Sequence, residues 1–93
     1  MHYLLFYDVV PDYLERRGEF RSAHLSLLRE SHDRGEVVLG GALADPIDGA
    51  LLVFRTETSA RAFAENDPYV KNGLIKQWRI RKWSTVIGDG ASV

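Results

Sequence analysis

His24 and Asp67 are the two residues of this 93-residue chain whose types and surroundings best suit acid–base work. A histidine in a partly dry place can take or give a proton near neutral pH. Such a base usually needs a carboxylate to fix which ring nitrogen carries the proton. On a wheel of about 100° per residue with Phe20 at 0°, Ala23 falls at roughly 300°, Leu27 at roughly 340°, Leu28 at roughly 80° and His24 at roughly 40°. His24 therefore lies inside the apolar arc, while His32 lies away from it. A core histidine satisfied by a backbone carbonyl would occupy the same arc. Positions 27 and 28 are both Leu, so no second metal ligand stands at helical spacing from His24 and no metal site is expected.

Asp67 raises the complementary question. It stands in "AENDPYVKNGLI", residues 64–75, where Pro68 disfavours helical geometry at the residue before it. One reading makes Asp67 a turn former whose side chain accepts a backbone N–H from Tyr69 or Val70. The other brings it to His24 as a dyad partner. Arg21, one turn before His24, could hold a carboxylate or enolate oxygen, and Tyr69 could wall the same cleft. Tyr3 and Tyr7 read as packing on a sheet face.

These residues need elements to position them. Residues 2–9, "HYLLFYDV", read as a strand with apolar residues on both faces: Tyr3, Leu5 and Tyr7 on one, Leu4 and Phe6 on the other. Residues 13–35 read as mostly helix, most firmly over 19–34, with Gly35 as a C-terminal cap. Strands are expected at 36–43 and 50–56, with "DPIDG" between them as a turn. A short helix is expected at 57–66, capped by Thr58 or Ser59. A last strand is expected at 75–83. The order β-α-β-β-α-β is that of an α+β, ferredoxin-like fold: a four-stranded antiparallel sheet with two helices on one face. Residues 1–86 are expected to form one domain and 87–93 a flexible C-terminal tail. A strand apolar on both faces needs cover on both sides. A second copy packed against the open sheet face is the expected source.

Composition narrows the classes. Hydrophobic residues are 45% and charged residues 27%, as in ordinary globular domains. The net charge of −1 gives no general attraction to nucleic acid or anionic membrane. The absence of cysteine removes disulfides and thiolate chemistry and fits a cytoplasmic protein. Strand-like sequence from His2 leaves no stretch that reads as a signal peptide. No apolar run approaches the roughly 18 residues of a membrane span. No phosphate loop or serine-nucleophile motif is present. "KQWRIRKW", residues 76–83, interleaves Trp78 and Trp83 with basic residues as an RNA-stacking strand would, but the near-zero net charge speaks against that use.

"RSAHLSLLRESHDRGEVVLGGAL" and "FAENDPYVKNGLI" resemble the paired elements of YciI-like (YCII-related) proteins. There an Arg and a His three residues on open a Gly-terminated helix that leads to a strand ending in a small-residue pair. A DPY motif follows downstream, with Gly four residues beyond it. The opening "HYLLFYD" fits too, and the resemblance spans about residues 1–83. It implies a ferredoxin-like fold dimerised through its sheets as a dimeric α/β barrel. It also implies a site pairing His24 with Asp67, flanked by Arg21 and Tyr69, with no cofactor. Most members lack an assigned substrate. One branch eliminates chloride from a chlorinated hydroxyquinol, and the wider superfamily includes muconolactone isomerases and small monooxygenases. Many relatives carry Pro after the second-strand glycine, where this chain has Gly41-Ala42. That loop, with Gly41 as a substrate-binding position, is where the substrate is expected to differ. The expectation is proton-transfer chemistry, elimination or isomerisation, on a small cyclic or aromatic molecule. A non-catalytic ligand-binding or sensor module with the same pocket is the alternative.

Overall fold

The computed structural model describes residues 1–91. The chain order is β1 (His2–Val9), α1 (Tyr13–Asp33), β2 (Val37–Ala42), β3 (Gly49–Phe54), α2 (Glu57–Asn66), α3 (Pro68–Lys71) and β4 (Ile75–Trp83). The strands form one antiparallel sheet in the order β2-β3-β1-β4. This is the ferredoxin-like α+β arrangement expected from the sequence, with α3 added as one extra turn after α2.

Register sorts the sheet into two faces, because directly opposed residues share a face. Tyr3, Leu5 and Tyr7 of β1 oppose Phe54, Leu52 and Ala50 of β3, and Lys82, Ile80 and Trp78 of β4. Leu5, Tyr7, Leu52 and Phe54 from this face are buried together with Ala60, Phe63 and Ala64 of α2 and Tyr69 of α3. Most of the core thus lies between the sheet and the helices. The opposite face carries Leu4 and Phe6 of β1 beside Val53 and Leu51 of β3, with Arg81 and Arg79 across on β4. Arg79 lies over the ring of Phe6 at 4.5 Å. Leu39 is 70% exposed and Trp83 49% exposed.

α1 runs through Gly18 without a break and ends where its glycine requires. Gly35 takes φ +78°, a region that L side chains enter only with strain. Its N–H donates to the carbonyl of His32 at 2.9 Å, and Glu36 N–H donates to that of Ser31 at 2.9 Å. These two bonds are the Schellman closure of a helix end. The turn starts β2 at once, so the small residues of β2 lie alongside the middle of α1.

α2 is capped by Thr56, not by Thr58 or Ser59 as its sequence suggested. Thr56 is extended, and its Oγ1 accepts the Ser59 N–H at 3.2 Å. The cap falls there because β3 stops at Phe54, two residues short of the expected end. At the far end of α2, Asp67 turns to an extended ψ of 124° ahead of Pro68.

Of the segment 87–93, residues 92 and 93 lie outside the described residues. Met1 donates from its terminal nitrogen to the carbonyl of Gly90 at 2.9 Å. His2 Nδ1 and Thr85 Oγ1 are 2.9 Å apart and buried. No helix among the described residues is long and apolar enough to cross a membrane.

Replacing Gly35 by Ala should destabilise the fold by about 1 kcal/mol through backbone strain at the helix end. Thermal unfolding should show this as a fall of about 4–8 °C.

Candidate functional site

Asp67 is fully buried, and its two oxygens are filled by donors from three places in the chain. Oδ1 accepts the backbone N–H of Tyr69 at 3.0 Å and faces Nδ1 of His24 at 2.8 Å. Oδ2 accepts the hydroxyl proton of Tyr7 at 2.7 Å. Asp67 therefore caps α3 and also meets His24. An ionised carboxylate only accepts hydrogen bonds, so against it Nδ1 of His24 is the donor.

The His24 ring is held as firmly as the carboxylate. It stacks on Tyr69 with centroids 3.9 Å apart and planes 7° from parallel. Phe63 meets it edge-on at 6.2 Å. The side chain is 13% exposed, so the ring is walled in but reachable. Nε2 has no hydrogen-bond partner among the described residues. The ring borders a cavity of about 280 Å³.

That cavity lies between α1 and the β2 end of the sheet. α1 lends it Tyr13, Arg17, Arg21, His24 and Leu28. On the helical wheel that places Phe20 at 0°, these fall between roughly 20° and roughly 100°, in a single stripe. β2 and β3 supply a small-residue wall of Gly40, Ala42 and Ala50. A Cβ on Gly40 would come within 3.3 Å of Leu52 and 3.5 Å of Leu28, so the wall is as thin there as packing allows.

All five residues expected at the site border this cavity or, in the case of Asp67, stand directly behind it. Gly41 does so through its backbone. It opposes Leu51, and that register sets its side-chain direction on the open face of the sheet. The cavity-facing small residues are Gly40 and Ala42. Tyr7, which the sequence placed as packing, packs and also donates to Asp67. Its hydroxyl is the part that face periodicity cannot report. A buried tyrosine hydroxyl needs a partner, and that rule was the available signal. Tyr13 and Arg17 were passed over, although the α1 wheel puts both in the His24 stripe. Among the described residues no group of three His, Cys, Asp or Glu side chains could hold a metal.

Burial raises the Tyr7 phenol above its ordinary range, and the Asp67 carboxylate adds to the effect by its charge and its hydrogen bond. Burial likewise raises Tyr69, helped by Tyr13 and opposed by Arg21 and Arg17. For Tyr7 the consequence for stability has a definite sign. Below about pH 10 both folded and unfolded chains keep the phenol proton. Above it only the unfolded chain releases the proton, so stability falls as pH rises. Tyr7→Phe should cost about 1–3 kcal/mol at neutral pH, since Oδ2 of Asp67 loses its donor. The same variant should show a shallower loss of stability above about pH 10. Urea titrations across that range check both effects.

The chain matches the YCII-related domain over residues 1–84. It is 29% identical over 97 aligned residues to the YciI proteins of Escherichia coli O6:H1 and of Shigella flexneri. Those alignments cover 92% of this chain and 99% of each relative. Among solved structures it resembles 5-chloro-2-hydroxyhydroquinone dehydrochlorinase from Burkholderia phenoliruptrix, in complex with 2,5-dihydroxybenzoquinone. The TM-score is 0.76 at 24% identity, covering 99% of this chain and 100% of the other.

Proposed function

The chain belongs to the YCII-related family, and from that premise we propose that it is a cofactor-free acid–base enzyme acting on a small cyclic or aromatic molecule in the cytoplasm. The observation that carries the reading is the His24–Asp67 contact at 2.8 Å beside a cavity of about 280 Å³. Asp67 holds the proton on Nδ1, and the free Nε2 is the base. It takes a proton from a ring hydroxyl or from carbon next to a carbonyl. The electron pair left behind flows into the ring. In an elimination it expels chloride, and the net change is loss of HCl. In an isomerisation the imidazolium returns the proton to another carbon.

Asp67 favours the imidazolium that forms, by charge as well as by hydrogen bond. Tyr7 and the Tyr69 N–H keep the carboxylate in place while the ring changes charge. Tyr69 fixes the plane of the imidazole by stacking. Arg21 holds a developing oxyanion at the mouth. The backbone of Gly41, with Gly40 and Ala42, bounds the ring-binding space. An engineered cavity of about 150 Å³ holds benzene, so this one accommodates one six-membered ring with substituents. The chloride chemistry in the name of the structural neighbour supports elimination as the first reaction to test.

The same reading includes a partner. A second copy covers the open sheet face, where Leu4, Phe6, Leu39, Leu51, Val53 and Trp83 would otherwise face water. Light scattering should then give twice the 10.5 kDa chain mass. Leu39→Glu should give the single-chain mass, because Leu39 is 70% exposed and its replacement spares the core.

Chlorinated hydroxyquinols and small lactones are the substrates to screen. His24→Ala should lower turnover by on the order of 10²- to 10⁴-fold. Binding of 2,5-dihydroxybenzoquinone should survive the substitution. Tight binding with no turnover in the wild type would make the chain a binding module instead.

A further inference from the structure

Two cations face the cavity and no exposed acid answers them. Arg17 and Arg21 both line it, one helical turn apart on α1. Side chains four apart on a helix are neighbours, so the two positive charges repel each other. Among the described residues neither makes an ion pair or a hydrogen bond. Arg17 instead lies over the Tyr13 ring at 5.7 Å. The contrast with Arg16 is informative. Its guanidinium is taken up by the carbonyls of Asn72 and Gly73 and lies 4.0 Å from Asp12. Among the described residues no carboxylate lines the cavity, and that of Asp67 lies behind His24 and is already engaged.

A third group converges on the same place. Tyr69 lines the cavity and is 2% exposed, yet its hydroxyl has no hydrogen-bond partner among the described residues. An unsatisfied buried hydroxyl is costly and uncommon in native folds. Arg17, Arg21 and Tyr69 line the same cavity, and both guanidiniums act on this phenol electrostatically. The Tyr69 ring is the one stacked on His24, so the unpartnered hydroxyl and the two cations belong to the same cavity that the imidazole borders.

We infer that Arg17, Arg21 and the Tyr69 hydroxyl form an oxyanion subsite, so that the preferred substrate is an acidic ring compound. Its carboxylate or ionised hydroxyl is held by the guanidiniums while another of its protons is presented to His24. The inference rests on the acid–base reading of His24 for the reaction, but the subsite itself is a matter of binding. Arg17 sets specificity here: it lies a turn farther from His24 than Arg21 does and acts on the substrate's charged end.

The test is calorimetric binding to the full chain, with 2,5-dihydroxybenzoate against its neutral amide, and 4-nitrophenol above and below its own ionisation. The wild type should bind the charged member of at least one pair about tenfold more tightly than the neutral member, with the preference shrinking as salt is raised. Arg17→Gln and Arg21→Gln should each cut that preference severalfold and leave the neutral member's affinity unchanged. Arg17→Lys, which keeps the charge, should keep most of the preference. A preference confined to the benzoate assigns the carboxylate as the bound group, and one confined to the nitrophenolate assigns the ionised hydroxyl. Equal binding within both pairs, no binding of either anion, or a preference that survives both Gln variants overturns the inference. His24→Gln separates the two readings. Turnover that persists in this variant sinks the acid–base reading, while an intact anion preference in the same variant upholds the subsite.

Discussion

A carboxylate shut away from water must find its hydrogen-bond donors within the chain. Asp67 takes them from the Tyr7 hydroxyl, the His24 ring and the Tyr69 backbone N–H. An ionised carboxylate in such a place would be very unfavourable without them. With them it becomes the point at which β1, α1 and the α2–α3 junction are tied together. The central strand, the long helix and the short one can each be displaced only by leaving that charge short of a donor. The His24–Asp67 contact and the packing of the helices on the sheet are therefore aspects of one arrangement.

The cavity beside the pair is divided along the same lines. One part of its lining is aromatic, with the His24 and Tyr69 rings parallel at 3.9 Å. Another is cationic, with Arg17 and Arg21 on the turns of α1 before His24. A flat ring fits against the aromatic side. A negative group on it is drawn to the guanidiniums. On the proposed reading, that charge distribution orients a ligand as well as attracting it.

Much of this was legible in the residues, and the remainder was hidden for identifiable reasons. Hydrophobic period and turn chemistry carried the order of elements. The wheel carried His24, since a polar residue within an apolar arc marks itself. Asp67 was marked by Pro68. Tyr7 was not, because alternation along a strand says which face a side chain is on but not what its far end touches 60 residues away. Arg17 was missed because a charged residue ahead of an apolar stretch reads as solvated surface. The α2 cap moved to Thr56 because capping depends on where the strand before it ends. Gly41, expected to line the pocket, borders the cavity through its backbone, while its neighbours Gly40 and Ala42 face it. In a strand, adjacent residues point to opposite faces.

The strand order has a consequence for how proteins of this architecture diverge. The dyad is anchored on β1, an interior strand, and on the helices packed over it, whereas the small-residue wall of the cavity belongs largely to β2, at the sheet's edge. An edge strand is hydrogen-bonded to one neighbour within the sheet, and although Gly40 is packed against Leu52 and Leu28, the exposed Ala42 at the strand's end can change with little effect on the interior. The His24–Asp67 contact and the cavity wall thereby belong to parts of the fold with different mechanical tolerance. A change at the end of β2 can reshape the cavity while the contact behind it stays as it is, so the two can be altered independently.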